Sequence, residues 1–122
     1  MSINKPYDLE ERTYLFAKDV ILLVNTCPKT LANIEIIKQL IRSSGSVGAN
    51  YIEAREALSK KDFNMRIKIC RKEIKESLYW LKLLDVKENE IDKRRQTLTK
   101  ESTELLKIFA SIAEKLKDKK DE

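Results

Sequence analysis

The chain has 122 residues, which suits one domain able to bury about 65% of its unfolded surface without disulfide or metal staples. It contains no histidine, which removes Ser-His-Asp and Cys-His catalysis, the zinc motifs that need His and the Glu-x-x-His ligands of di-iron bundles. A protein without enzymatic activity, metal or cofactor is expected. The net charge of +5 is concentrated, because residues 60–75 hold seven cations against two acids and the rest of the chain balances.

Asp8 and Glu11 form an acidic start resembling a capping box, and Leu9, Phe16, Val20, Leu23 and Val24 then trace one helical face that ends before Pro28. These signals predict a first helix over residues 9–26. The opening M-S-I-N-K-P-Y-D carries no apolar signal core, and the longest apolar run, Val20 to Val24, falls far short of the ~20 residues of a membrane span. Cys27 and Cys70 sit inside apolar patterns without a C-x-x-C spacing, as reduced packing residues do. A cytoplasmic protein with no membrane contact follows as the expectation.

Thr30 is a good N-cap for a second helix, residues 31–59, carrying Leu31, Ile34, Ile37, Leu40 and Ile41, and the apolar pattern resumes at Ile52, Ala54 and Leu58. Between them lies R-S-S-G-S-V-G-A-N-Y-I-E-A, residues 42–54. Gly and Ser favour turns, so local propensity permits a loop here as readily as a helix. If the segment is helical, Gln39, Ser43, Ser46, Asn50 and Glu53 recur at steps of four and three and form a polar seam where bundle helices usually carry Leu. A helical glycine costs roughly 0.5–1 kcal/mol relative to alanine, so Gly45 and Gly48 call for a close backbone contact that offsets the loss.

After a polar connector, Lys60-Lys61-Asp62, the residues Phe63, Ile67, Cys70, Ile74, Leu78 and Leu81 define the apolar face of a third helix, residues 62–85. Opposite that face Lys61, Lys68, Lys72, Lys75 and Lys82 fall in one narrow sector together with Tyr79. A flank bearing Met65, Ile69, Trp80 and Leu83 is interleaved with Glu73 and Glu76, and one bundle interior cannot cover it as well. Trp and Met are enriched in interface cores, so this flank is expected to meet another subunit. A fourth helix, residues 89–117, repeats Ile91, Leu98, Leu105 and Ile112 every seven residues beside Phe109 and Leu116, and its charged tail is expected to fray. Four amphipathic helices with short connections and no alternating strand pattern predict an all-α antiparallel up-down four-helix bundle over the single domain 1–122.

The segment of residues 42–54, followed by K-K-D-F and K-E-I-K-E-S-L-Y-W-L-K-L-L, resembles the signature of the four-helix bundle proteins encoded in intervening sequences of bacterial large-subunit ribosomal RNA genes. The same family includes the accessory variability determinant of diversity-generating retroelements. The resemblance covers nearly the whole chain. It implies that the Ser/Gly/Asn run lies inside helix two, that the protein forms a ring-like homo-oligomer, a homopentamer with basic surface, and that it binds nucleic acid. Onto this chain the motif carries Arg42, Ser46, Ala49, Asn50, Glu53 and Ala54 from helix two and Glu73, Glu76, Trp80 and Leu81 from helix three. Val47 and Gly48 stand where the family commonly has Ile followed by a small residue or Pro.

Buried polar side chains are usually satisfied internally, so Arg42, Ser46, Asn50, Glu53, Glu73 and Glu76 are read as a structural network, with Arg42 or Arg71 available to the carboxylates. Three glutamates without histidine make a poor metal site. The Gly45–Gly48 spacing resembles the phosphate-clamping loop of some RNA-binding domains, but those need a sheet. Clustered cations steer anionic partners, which makes Lys60, Lys61, Lys68, Arg71, Lys72, Lys75 and Lys82 the candidate contacts for RNA or DNA, joined by Arg94 and Arg95. Tyr79 could stack on a base or simply pack. The rival expectation is a structural adaptor whose partner is a protein, such as a reverse transcriptase of a retroelement.

Overall fold

The computed structural model describes residues 8–121, with side chains described through residue 117. The expectations placed on the opening residues and on the last side chains therefore lie outside the described residues. Four helices follow one another: α1 (Leu9–Val24), α2 (Leu31–Arg55), α3 (Lys60–Leu83) and α4 (Asn89–Asp121), with no strand among the described residues. Residues 42–54 lie wholly within α2, so the small-residue run is helical.

The helix ends show which local signals were used. Thr30, in an extended conformation, accepts the Asn33 N–H at 3.2 Å and starts α2. Ser59 does the same for α3, accepting the Asp62 N–H at 3.1 Å, so Lys60 and Lys61 form the first helical turn rather than a connector. The connector is instead residues 56–59, and α2 stops at Arg55, short of the expected 59. Asp8 does not cap α1: its backbone is already helical, its side chain makes no cap hydrogen bond, and one carboxylate oxygen is buried without a partner among the described residues. α1 ends at Val24 and α3 at Leu83, each two residues earlier than expected, whereas α4 continues to Asp121.

Packing runs in the cyclic order α1, α2, α3, α4 and back to α1. Across α1 and α2, Glu10 meets Arg55 and Thr13 lies beside Gly48; across α2 and α3, Ser43 meets Ser77 and Asn50 meets Arg66, and Asn33 meets Asp85 just beyond the end of α3. Partner numbers rise along one helix as they fall along the next. Phe16, Val20, Leu23, Leu40, Val47, Ile67, Ile74, Leu81, Leu105 and Phe109 fill the core, and Tyr51 of α2 reaches Phe109 of α4 edge to face, with centroids 6.1 Å apart.

α2 turns an unexpected face inward. Leu31 is 86% exposed and Ile34 and Ile41 also face outward, whereas Asn33, Leu40, Ser43, Ser44, Val47, Tyr51 and Ala54 are buried. Small side chains bring the helices together. Ser43 and Ser77 share a hydrogen bond of 2.8 Å in the α2–α3 seam, and a Cβ added at Gly48 would stand 3.1 Å from Thr13 Oγ1. Gly48 is thus the close approach that its helical cost calls for. Gly45 has nothing within 4 Å of the corresponding position, and no contact explains it.

One end of the bundle is tied by Asn33, which is fully buried. Its Nδ2 donates to Pro28 O at 2.9 Å and Asp85 O at 2.8 Å, and its Oδ1 accepts the Asp85 N–H at 2.9 Å. Two connectors thereby share one side chain. Between α1 and α4, Arg12 donates to Glu101 at 2.8 and 3.0 Å and to Glu104 at 2.8 Å, bonds that raise its pKa, chiefly through Glu101.

Candidate nucleic-acid interface

The geometry of α3 follows from its sequence period. Ile67, Cys70, Ile74, Ser77 and Leu81 face the core, which turns Lys61, Lys68, Lys72, Lys75, Tyr79 and Lys82 to the opposite, exposed side. Lys68 to Lys82 spans about 21 Å of helix axis. Among the described residues, none of Lys60, Lys61, Lys68, Arg71, Lys72, Lys75 and Lys82 takes part in an ion pair. Lys68, Arg71, Lys72 and Lys75 neighbour one another at steps of three and four, and each such like-charge pair costs a helix roughly 0.2–0.5 kcal/mol. The face is therefore under electrostatic tension that an anion would relieve.

The acids on the flank of α3 do not relieve it. Glu73 and Glu76 both accept hydrogen bonds from Arg42 of α2, at 3.1 and 2.8 Å, and Glu73 is buried. That contact joins three members of the expected polar network. Ser46 and Asn50 form a separate part: Asn50 Nδ2 donates to Ser46 O and Oγ at 2.9 and 3.0 Å, while Asn50 Oδ1 accepts from Arg66 at 2.9 Å. Arg66 is a member that the sequence reading missed, although it lies one turn before Cys70 on the flank nearest α2. Ser77 and Asn33 were missed as well, whereas Ser43, expected on the polar seam but not in the network, is buried against Ser77. Glu53 is exposed and has no hydrogen-bond or ion-pair partner among the described residues, so it stands outside the network, as does exposed Gln39. Glu53 therefore stands apart from Glu73 and Glu76, and no group of three or more potential metal-ligating residues gathers among the described residues.

An open recess of about 620 Å³ lies on this face, lined by Lys68, Arg71, Lys72, Lys75, Glu76, Tyr79 and Trp80 and by Leu106 of α4. Tyr79 is 58% exposed, and its ring stands at 71° to that of Trp80, with centroids 5.0 Å apart. Trp80 Nε1 has no hydrogen-bond partner among the described residues. A smaller recess of about 340 Å³ holds Lys82, Arg95, Gln96, Thr99 and Lys100.

Arg94 is exposed and unpaired among the described residues, as a phosphate contact requires. Arg95 is different: its guanidinium donates to Leu84 O at the end of α3 and to Asp92, so it closes the α3–α4 connection and is not a free contact. Of the flank expected to meet another subunit, Met65 and Leu83 are about half exposed, and Ile69 and Trp80 are half-buried. Exposed apolar side chains also occur on α1, at Leu15, Ile21 and Leu22, which the sequence reading did not single out, and on α2, at Ile41 and Ile52, which belong to the apolar pattern expected of that helix. Both thiols are buried and free, and burial pushes Cys70 up to about 12, so neither is a reactive group. No helix among the described residues is long and apolar enough to cross a membrane.

The profile of the 23S rRNA-intervening sequence protein family matches residues 6–111. A crystal structure of a protein of unknown function from the S23 ribosomal protein family of Bacteroides thetaiotaomicron is similar, with 31% sequence identity and a TM-score of 0.74 over 85% of this chain and 96% of that one. No curated protein sequence matches the chain. With a family profile spanning all but the last turns of α4 and a related fold along nearly the whole of a solved relative, the chain belongs to the 23S rRNA-intervening sequence protein family.

Proposed function

We propose that this protein is a non-enzymatic, cytoplasmic nucleic-acid-binding protein that holds RNA or DNA through phosphate contacts along the outer face of α3. The observation that carries the reading is the row Lys61, Lys68, Lys72, Lys75 and Lys82, mutually repelling and without acidic partners among the described residues. Phosphates bind such a row with little regard to sequence, since lysine contacts to phosphate oxygens position a nucleic acid without reading its base edges. In this reading the up-down antiparallel bundle assembles into a ring-like homo-oligomer, a homopentamer, which repeats the row around its circumference. The partly exposed apolar surface of Met65 and Leu83 supports such an assembly.

A mobility-shift or anisotropy titration at several salt concentrations tests the proposal. Five phosphate contacts per subunit give a slope of log K against log salt of about −3.5 for single strands and about −4.5 for duplex. The triple variant Lys68→Gln, Lys72→Gln, Lys75→Gln should flatten that slope by about 2 to 3. Absence of binding at ~50 mM salt, or an unchanged slope in the triple variant, would overturn the proposal.

A further inference from the structure

We infer that the ligand of this face is a single-stranded nucleic acid, one unpaired base of which stacks on Tyr79 while its flanking phosphates are held by Lys75 and Lys82. The inference rests on the nucleic-acid reading above and narrows it to one physical form of the ligand.

Tyr79 presents an exposed aromatic surface between the last two lysines of the cationic row. It is one helical turn from Lys75 on one side and from Lys82 on the other, and side chains at such spacings are neighbours on a helix surface. A base lying on the ring therefore has its 5′ and 3′ phosphates within reach of opposite neighbours. The edge-to-face contact with Trp80 restricts the ring before any ligand arrives, so little freedom is lost on stacking. The recess of about 620 Å³ is within the range of small-molecule sites, large enough for a base and its sugar.

A duplex meets this face differently. Its phosphates can approach the lysines, but its bases are paired and stacked on one another, and their π-faces are out of reach unless a nucleotide is unpaired, unstacked and flipped out. Stacking on an aromatic side chain strengthens binding roughly 5- to 150-fold per base and tolerates any base identity. Preference for single strands thus comes from Tyr79, and the salt dependence comes from the lysines. Trp80 adds an indole N–H that has no acceptor among the described residues, and every base edge carries acceptors. That nitrogen is shielded from solvent, so its use requires the lining side chains to part.

Trp80 is the one tryptophan in the chain and lines the recess, which makes its fluorescence a direct reporter. The full chain is titrated with oligothymidylate, with an abasic strand of equal length and with a duplex of equal phosphate count. The base-bearing strand should bind at least about fivefold more tightly than the abasic strand and quench Trp80. Tyr79→Leu, at an exposed position that leaves the fold intact by circular dichroism, should weaken the base-bearing strand roughly 5- to 150-fold and leave the abasic strand unchanged, while Tyr79→Phe retains binding. Equal affinity for base-bearing and abasic strands, tighter binding of duplex than of single strand, or an equal effect of Tyr79→Leu on every ligand would overturn the stacking inference and leave the phosphate reading standing. Failure of all three ligands to bind at low salt would overturn both.

Discussion

Asn33→Ala is expected to destabilise the bundle more than any other single polar truncation described above. The side chain is 0% exposed and makes three hydrogen bonds of 2.8–2.9 Å, two to carbonyls of Pro28 and Asp85 and one from the Asp85 N–H. Each is worth about 1 kcal/mol net, and groups left buried without partners cost more, so a loss of about 3 kcal/mol follows. Unfolding entropy of about 2.1 cal/mol/K per residue over 122 residues converts this to a fall in Tm of about 12 °C. Thermal denaturation followed by circular dichroism, at one protein concentration for both proteins, measures it. Amide exchange at Asp85 should accelerate in parallel, because that N–H loses its acceptor. A fall in Tm below about 3 °C corresponds to less than ~1 kcal/mol and would show that Asn33 does not hold the two connectors together.

Gly45→Ala should raise stability by roughly 0.5–1 kcal/mol, because the new methyl meets open space and the helix gains in propensity. Gly48→Val should lower it by about 1–3 kcal/mol, since Thr13 Oγ1 stands 3.1 Å from the Cβ site and is held by its own hydrogen bond to Leu9 O; equal effects in chemical denaturation would refute the close approach of α1 and α2. Cys70 is neutral when folded up to about pH 12 but ionises near 9 when unfolded, so the unfolded chain loses its proton first as pH rises. Its contribution is intact below pH ~8 and is lost above ~9 at up to about 1.4 kcal/mol per pH unit; Cys70→Ala should remove that increment of slope in denaturant titrations, and an identical slope in both proteins would count against it. Arg42→Gln releases Glu73 and Glu76 beside the lysine row and should weaken nucleic-acid binding about two- to fivefold at low salt, with the deficit fading at high salt. A deficit independent of salt would point to lost structure rather than charge.

Helix number and the lysine row were legible in the sequence because both depend on period alone. Phe63, Ile67, Cys70 and Ile74 commit one side of α3 to the core, and Lys68, Lys72 and Lys75 must then face away. α2 was harder to read. Hydrophobicity favours burying Ile34 and Ile41, yet the structure buries Ser43 and Ser44, because small side chains let α2 approach α1 and α3 closely. That advantage depends on Thr13 and Ser77, which are distant in sequence and invisible to a local rule. The same holds for Arg66 and Arg95, whose partners Asn50 and Leu84 O are supplied by packing, and for Asn33, whose partner Asp85 is 52 residues away. The missed residues are polar groups whose roles are set by tertiary neighbours.

The clamp of Arg12 on Glu101 joins positions 89 residues apart, whereas Arg42 and Glu73 are separated by 31. Ordering the longer loop costs more chain entropy, and the bonds that reward it form only after the intervening helices are in place. The edge between α1 and α4 is thus the last to zip on folding and the first to part under stress. A protease, a denaturant or a chaperone should enter the molecule there.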